Sequence, residues 1–475
     1  MAEKIINRPN LLLIVADDMN WDALGAFGCP THNTTPNIDR LAGEGIRFNH
    51  AHITIAVCQP SRSAMMTGLY PHQSGGEGFH HLRHPGIPIL PELLRGSGYT
   101  VGILGKVVHS TPYSTFDWNM MYDREELGEG RNPEVYYRRA RSFMQSAKDE
   151  ERPFFLMANS HDPHRPFYGN DPPEWYESEN RYLPSAVPPS RTFTPDEIKV
   201  PDFLPDLPQV RLEISEYYNS VRRCDDTAGR ILEALRETGQ EDDTLVLFLS
   251  DNGMAFPFAK TNCYLNSTRT PWIMRWPGVI DGGTINDEHF VSGIDIMPTF
   301  LEAASIEVPE NVAGKSFLSI LRGASSEDRK HVFTQFNQTA AKRNYPMRCV
   351  QSKRFGYIYN PWSDGEKIFK NESQSGRTFS DMERAAESDK EIAARVRLFL
   401  YRVPEEFYDF ENDPDGLENL IDHPDYREEV TRHRTLLLDW MKETGDPALK
   451  AFRDRASEES RRQFFAEMNR TLGGE

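Results

Sequence analysis

The first apolar run of the chain is LLLIVADD, residues 11–18. Six consecutive apolar residues, with no alternating polar positions, predict a strand that is buried on both faces. Such strands occur mainly in parallel sheets, whose crossover helices cover both faces. Asp17 and Asp18 follow directly, at the strand end where open α/β sheets collect ligand-binding groups. We therefore expect an α/β fold with a site at this rim of the sheet.

Three further apolar runs predict strands at residues 100–104, 154–158 and 244–249. They alternate with helical patterns, of which the longest cover residues 134–148 and 210–238. Strands that alternate with helices are typical of a mostly parallel sheet sandwiched between two helical layers. The long Pro-rich stretch at residues 165–210 lacks periodicity and is predicted to be a surface excursion beside the binding cleft.

The pattern changes in the last third of the chain. Residues 349–359 and 406–410 are predicted strands of a smaller antiparallel sheet, and the charged tail from Tyr426 is predicted to be helical. We place the boundary near residue 340. The sequence thus predicts a catalytic domain at residues 1–340 and a smaller α+β domain at residues 341–475.

Composition limits the function classes. The net charge of −18 disfavours binding to nucleic acid and to anionic membranes. No run is long enough to span a membrane, and the N-terminal run is too short for a signal peptide, so the sequence predicts a cytoplasmic protein. Five scattered cysteines without a CxxC motif disfavour a disulfide framework and a structural zinc site.

Polar and charged residues follow all four predicted strands of the larger sheet. One such group alone is explained as a turn or a helix cap, because Asp and Asn favour loops. Four groups at the ends of neighbouring strands indicate a functional site instead. They are Asp17 and Asp18; Lys106 and His109; His161, Asp162 and His164; and Asp251 and Asn252.

Asp17, Asp18, Asp251 and Asn252 form an all-oxygen set. Oxygen ligands suit calcium, with magnesium as the second choice, and they do not suit zinc or copper. Three carboxylates that lie close together also need a cation, because without one they repel each other and their pKa values rise. The sequence therefore predicts one calcium-like ion at these residues.

Cys58 opens the segment Cys58-Gln59-Pro60-Ser61-Arg62. Pro60 fits the first turn of a helix, which would end near Gly68. Cys58 would then lie at a helix N-terminus, where backbone N–H groups favour an anion. Two interpretations follow: a low-pKa thiolate nucleophile, or a buried structural cysteine.

Cys58-x-Pro60-Ser61-Arg62, with Thr67 and Gly68 behind it, resembles the signature of the type I, formylglycine-dependent sulfatases. Residues 407–414 also resemble the second domain of that family. The other motifs occur in the family's order, and they are Asp17-Asp18, Lys106 with His109, Pro163-His164-x-Pro166, and Ser250-Asp251-Asn252-Gly253.

Within the family, the chain is most similar to the sulfamidase (N-sulfoglucosamine sulfohydrolase) branch. This similarity is carried by residues 161–165, 250–262 and 345–348. Two features depart from that branch: Lys260 stands where an arginine is expected, and two residues separate Lys106 from His109. Both departures concern the choice of substrate, and neither concerns the reaction class.

The resemblance implies an alkaline-phosphatase-like fold and a cysteine, Cys58, that a separate formylglycine-generating maturation enzyme oxidises. The hydrated aldehyde would be the nucleophile, with one hydroxyl attacking sulfur while the alcohol or amine leaves. The second hydroxyl would then lose a proton and expel sulfate, regenerating the aldehyde.

The resemblance also implies roles for the residues around Cys58. Arg62 and Lys106 would hold the hydroxyls of the nucleophile, and His109 would be the base. Sulfate would be held by His164 and Lys260, which would also help the leaving group to accept a proton. His161 and Asp162 would contact the sugar.

The predicted substrate is a small sulfated sugar, N-sulfoglucosamine first and an O-sulfated hexosamine second. Two alternatives stay open at this point. One is a phosphonate monoester or phosphodiester hydrolase on the same fold, because phosphate and sulfate are both tetrahedral oxyanions. The other is a non-catalytic, calcium-dependent glycan-binding protein. The sequence leaves a homo-oligomer open.

Overall fold

The computed structural model describes residues 8–169 and 187–473, and the apolar runs fold as strands of two main sheets. The strands are β1 Asn10–Ala16, β2 Ile46–Phe48, β3 Ala51–His52, β4 Thr100–Leu104, β5 Met120–Tyr122, β6 Phe154–Asn159, β7 Thr244–Ser250, β8 Trp272–Arg275, β9 Thr284–Asn286, β10 Val291–Ser292, β11 Val332–Gln338, β12 Asn344–Gln351, β13 Phe355–Tyr359 and β14 Glu405–Asp409.

The α-helices of the described residues connect these strands. They are α1 Pro36–Glu44, α2 Cys58–Thr67, α3 Pro71–Ser74, α4 Leu90–Gly96, α5 Val107–Ser110, α6 Pro133–Asp149, α7 Pro208–Glu237, α8 Leu265–Thr268, α9 Ile296–Ala303, α10 Leu318–Leu321, α11 Arg377–Ala385, α12 Lys390–Tyr401, α13 Arg427–Thr444, α14 Leu449–Arg453 and α15 Glu458–Leu472.

The larger sheet has eight strands in the order β5-β4-β6-β1-β7-β8-β2-β9. All neighbours are parallel except β8, which runs antiparallel to β7 and β2. The sequence prediction of a mixed, mostly parallel sheet is confirmed. The four strands predicted from apolar runs, β1, β4, β6 and β7, lie side by side in this sheet.

Strand β1 lies at the centre of the fold, between β6 and β7, and all seven of its residues are buried. Its side chains alternate between two hydrophobic cores. Leu12 and Ile14 belong to the core beneath α6 and α7, whereas Leu11 and Leu13 belong to the core beneath α4 and α9. An uninterrupted apolar run is required here because both faces of the sheet are covered.

The smaller sheet is antiparallel, in the order β11-β12-β13-β14, and α13 and α15 pack against it. The predicted antiparallel C-terminal sheet is therefore confirmed. Its first strand, β11, ends before residue 340, so the sheet begins ahead of the predicted boundary. The division into domains at 340 stays a prediction.

Two further expectations concern the Pro-rich excursion and the absence of a membrane span. Residues 170–186 of the predicted excursion at 165–210 lie outside the described residues. Among the helices that the structure describes, none combines the length and the apolar character needed to cross a membrane.

Candidate active site

The order β4-β6-β1-β7 brings the four predicted strand-end groups to one rim of the sheet. The turns that follow the strands are tied to one another through the backbone. Asp17 N donates to Asp162 O at 3.2 Å, and Asp251 N donates to Ala16 O at 3.2 Å. Asp18 has a left-handed backbone, with φ 69°, which Asp tolerates better than most residues. The predicted clustering of these groups is confirmed.

Three carboxylates lie together at this rim. Asp17, Asp18 and Asp251 are fully buried, and each offers an oxygen within 4.8 Å of the others. Asn252 lies beside them and donates from Nδ2 to Asp18 Oδ1 at 2.7 Å. Among the described residues, its buried Oδ1 has no hydrogen-bond partner. Flipping the side-chain amide of Asn252 by 180° would direct Oδ1 toward Asp18. The four residues then offer a set of oxygen ligands that fits a hard divalent cation.

The electrostatics of the cluster also point to a cation. Burial raises the pKa of Asp251 to about 7, although the Arg62 guanidinium lowers it. Burial likewise raises the pKa of Asp18 to about 6, against the effect of Lys260. Burial opposes ionisation of Asp17 as well, but nearby cations outweigh it and hold that pKa well below its usual range. A divalent cation would favour the ionised form of all three carboxylates.

Cys58 is the first residue of the buried helix α2, as predicted, and that helix ends at Gly68. Its Sγ lies 3.4 Å from Asp17 Oδ1 and 4.0 Å from Asp18 Oδ1. Burial, followed by the charge of Asp17, raises the pKa of the thiol well above its usual value. The interpretation of Cys58 as a low-pKa thiolate is therefore not supported in the metal-free cluster, where burial and neighbouring carboxylates outweigh the helix N-terminus.

Each carboxylate of the cluster has a basic partner. Arg62 donates from Nε to Asp251 Oδ2 at 2.8 Å, and its Nη2 forms an ion pair with the same oxygen at 2.7 Å. Lys106 Nζ pairs with Asp17 Oδ2, and Lys260 Nζ lies 2.8 Å from Asp18 Oδ2. Arg62, Lys106 and Lys260 were predicted to bind the nucleophile or sulfate, and the structure brings all three to the carboxylates.

His109 and His164 line a cavity of about 420 Å³ together with Lys106. Burial and the Lys106 charge lower the pKa of His109 to about 3, and burial and Lys260 lower that of His164 to about 4. Both rings are therefore neutral at neutral pH. His164 Nδ1 lies 2.6 Å from the carbonyl of Arg165, so Nδ1 carries the hydrogen and Nε2 is left as an acceptor.

The two predicted sugar contacts have different environments. His161 borders the same cavity, but its Nε2 accepts the backbone N–H of Lys106 at 3.2 Å. Asp162 is fully buried and accepts two hydrogen bonds from Arg223, at 2.6 and 3.0 Å, with Arg131 at 3.2 Å. Its oxygens are already paired beneath the site, and its role as a sugar-contacting residue stays a prediction.

Glu372 belongs to the site although no sequence pattern indicated it. It opens a short 3₁₀ helix, Glu372–Ser375, in the C-terminal part of the chain. Its Oε2 accepts from Lys260 Nζ at 2.8 Å, and its Oε1 lies 3.6 Å from His164 Nε2. Burial opposes ionisation, but Lys260 and His164 lower its pKa to about 2. Glu372 stands far from the recognised motifs, and only the fold brings it to the site.

A mostly parallel sheet between helices, with carboxylates, lysines and histidines at one rim beside a helix N-terminus, defines an alkaline-phosphatase-like hydrolase. Residues 9–306 match the family model described as Sulfatase, and residues 255–368 match the one described as N-sulphoglucosamine sulphohydrolase, C-terminal. The chain belongs to the sulfatase family and is a sulfuric ester hydrolase.

One relative supports this assignment, and two solved structures share the fold. The N-sulphoglucosamine sulphohydrolase of Homo sapiens is 31% identical over 469 residues, covering 92% of this chain and 91% of the human protein. A protein solved in complex with its substrate D-glucosamine-2-N,6-O-disulfate shares the fold, with a TM-score of 0.67, 19% identity, and coverage of 92% of this chain and 98% of the other. The phosphonate monoester hydrolase of Agrobacterium radiobacter also shares it, with a TM-score of 0.62, 20% identity, and coverage of 92% and 96%.

We expect a divalent cation to stabilise the protein more at pH 7.5 than at pH 5. Asp18 and Asp251 have raised pKa values, about 6 and 7, so the metal-free fold loses stability as pH rises from about 4 through 7. The cation binds the ionised carboxylates, so its contribution grows over the same range. At a hundredfold excess over its Kd it adds about 2.7 kcal/mol.

Unfolding temperatures measured with EDTA and with calcium at both pH values check this expectation. Asp251→Asn should lose most of the calcium increment. Asp225→Asn is the matched control, because Asp225 is also a buried aspartate with a pKa of about 7 but caps α1 away from the cluster. A calcium increment that does not depend on pH would contradict the assignment.

Proposed function

We propose that this sulfatase removes sulfate from a small sulfated sugar, with N-sulfoglucosamine as the leading candidate and an O-sulfated hexosamine as the second. The proposal includes a formylglycine made from Cys58 and one calcium-like ion. It is supported by the similarity to the human sulphohydrolase over most of the chain, and by the match to that enzyme's C-terminal family model. The structural neighbour solved with a sulfated glucosamine agrees with it.

The observation that carries the proposal is the position of residue 58. Its Sγ lies 3.4 Å from Asp17 Oδ1, against the carboxylate cluster and at the start of a buried helix. Burial and the Asp17 charge raise the pKa of a thiol in this place, which disfavours the nucleophilic thiolate. An aldehyde is neutral, so its reaction does not require a charged thiolate beside the buried carboxylates. Asp17, Asp18, Asp251 and Asn252 would hold the cation beside it.

When bound or formed, the cation supplies charge neutralisation and the hydrated formylglycine supplies the attacking oxygen. Arg62 holds the Asp251 carboxylate through a hydrogen bond and an ion pair, which positions one ligand. Lys106 and Lys260 place positive charge on two sides of the cluster, where a sulfate would bind.

The two histidines of the cavity divide the proton transfers. His109 is neutral, and its buried Nδ1 has no hydrogen-bond partner among the described residues, so it can accept a proton. The Phe79 ring packs nearly perpendicular to it, with the ring centroids 5.5 Å apart, and helps to hold the imidazole in place. His164 presents Nε2 as an acceptor and must take up a proton before it can donate one to a leaving group.

We expect active protein to carry formylglycine at position 58. The mass of the peptide that spans this residue should show a carbonyl in place of the thiol. Cys58→Ala should lower kcat by about 10⁴- to 10⁶-fold, because the nucleophile is lost. Its unfolding temperature should change little. Cys29→Ala, a buried cysteine outside the site, is the matched control and should keep activity. Full activity with an unmodified Cys58 would refute the proposed nucleophile.

We expect kcat/KM to be highest for N-sulfoglucosamine in a panel with 6-O-sulfated N-acetylglucosamine, an aryl sulfate and a phosphonate monoester. A site built for the hydroxyls of a sugar rejects ligands that leave its buried polar groups unpaired, by about 10⁴-fold in favourable cases. Preference for the phosphonate would refute the proposed substrate class. Preference for the aryl sulfate would contradict the proposed sugar specificity but would be consistent with the proposed reaction.

A further inference from the structure

Glu372 places a negative charge in the wall of a site that has to bind an anion. Its carboxylate lies between Lys260, 2.8 Å from Oε2, and His164, 3.6 Å from Oε1. Glu372, His164 and Asp18 each offer an atom within 4.8 Å of the others. A carboxylate here weakens the attraction of Lys260 for sulfate. Its position therefore calls for a second partner on the substrate.

The segment that carries Glu372 is fixed in place. Asn371, the preceding residue, donates from Nδ2 to Thr261 Oγ1 at 2.6 Å. After the short helix, the backbone N–H of Thr378 donates to Glu213 Oε2 at 2.8 Å. Both partners belong to the part of the chain that contains the larger sheet. Glu372 is therefore held against the site on both sides, and it is not a surface side chain that swings away.

One oxygen of Glu372 is free to accept a hydrogen bond. Lys260 occupies Oε2, but no donor among the described residues binds Oε1. The nearest group is His164 Nε2, which lies 3.6 Å away, beyond hydrogen-bond distance, while Nδ1 of the same ring is directed to the Arg165 carbonyl. Oε1 therefore has no hydrogen-bond donor among the described residues, and the side chain of Glu372 is 33% exposed, so a ligand can reach it.

The two kinds of sulfate linkage differ at the atom that bridges sulfur and sugar. In a sulfamate this atom is a nitrogen that carries a hydrogen, whereas in a sulfate ester it is an oxygen without one. Only the bridging atom of the sulfamate can donate a hydrogen bond to a carboxylate. We propose that Glu372 is a specificity-determining residue that accepts the bridging N–H of an N-sulfated amino sugar and so selects sulfamates over sulfate esters. This inference rests on the proposed function and makes its substrate class definite.

The products of the reaction fit the same contact. The S–N bond breaks, a new S–O bond forms, and the nitrogen takes up a proton and leaves as an amine. In total, one sulfamate and one water give one ammonium ion and one sulfate ion at neutral pH. The ammonium of the amino sugar then faces the Glu372 carboxylate, whereas the alcohol released from an ester would bring no charge to it.

The test compares two sugars that differ only in the bridging atom, N-sulfoglucosamine and glucose 2-sulfate. Glu372→Gln keeps the shape of the side chain and an oxygen for Lys260, and it replaces the free acceptor by an NH₂ donor. We expect kcat/KM for the sulfamate to fall by about 10- to 100-fold, the range for a hydrogen bond to a charged group. The value for the ester should stay level or rise. Glu366→Gln removes an exposed carboxylate from the same stretch of chain and should change neither value.

A binding measurement gives a second readout that does not need an oxidised residue 58. In calcium-loaded Cys58→Ala protein, calorimetry should show N-sulfoglucosamine binding more tightly than glucose 2-sulfate. Adding Glu372→Gln should remove that difference. A purely structural role of Glu372 would weaken the binding of both sugars equally. An unchanged ratio of their two dissociation constants would therefore overturn the proposal.

The failure of the proposed function would look different. If neither sugar is hydrolysed but phenyl sulfate is, the sugar assignment fails. The pair N-phenylsulfamate and phenyl sulfate then tests Glu372 by the same ratio. A loss confined to N-phenylsulfamate in Glu372→Gln would support the role of the carboxylate, and equal losses would overturn it.

Discussion

Three carboxylates buried at adjacent strand ends are the constraint on which the rest of the site depends. Asp17, Asp18 and Asp251 are fully buried, and burial, more than their mutual repulsion, raises the pKa values of Asp18 and Asp251. Arg62, Lys106 and Lys260 balance their charges one for one. A divalent cation added to this balanced set leaves an excess of positive charge. That excess would let a protein with a net charge of −18 bind a sulfate.

Apolar runs were enough to predict the strands at the centre of the larger sheet, because a strand covered on both faces tolerates no polar alternation. The strand-end residues could also be named, because each polar group directly follows one of these apolar runs. The burial and the ion pairs of individual site residues could not be predicted, since they depend on elements that are distant in the sequence. Asp162 was assigned to the sugar, but the fold pairs it with Arg223 of α7. Cys58 was placed correctly at a helix start, but its raised thiol pKa follows from the carboxylates packed around it.

The C-terminal part of the chain does more than cover the larger sheet. Its segment around Glu372 reaches Lys260 and Thr261, so residues from both sides of the predicted boundary form one wall of the site. No local pattern in the sequence marks this contact, because a glutamate in a short 3₁₀ helix resembles many surface glutamates. In the proposed function the rim binds the sulfate group, and this wall distinguishes between the two sulfate linkages.

The most direct test of the central claim is a crystal structure of protein produced together with a maturation enzyme, with anomalous scattering recorded for the cation. We predict one ion bound by Asp17, Asp18, Asp251 and Asn252, with oxygen atoms and no sulfur at the end of side chain 58. An intact Cys58 thiol in an active crystal, or a cation bound away from these four residues, would contradict the account.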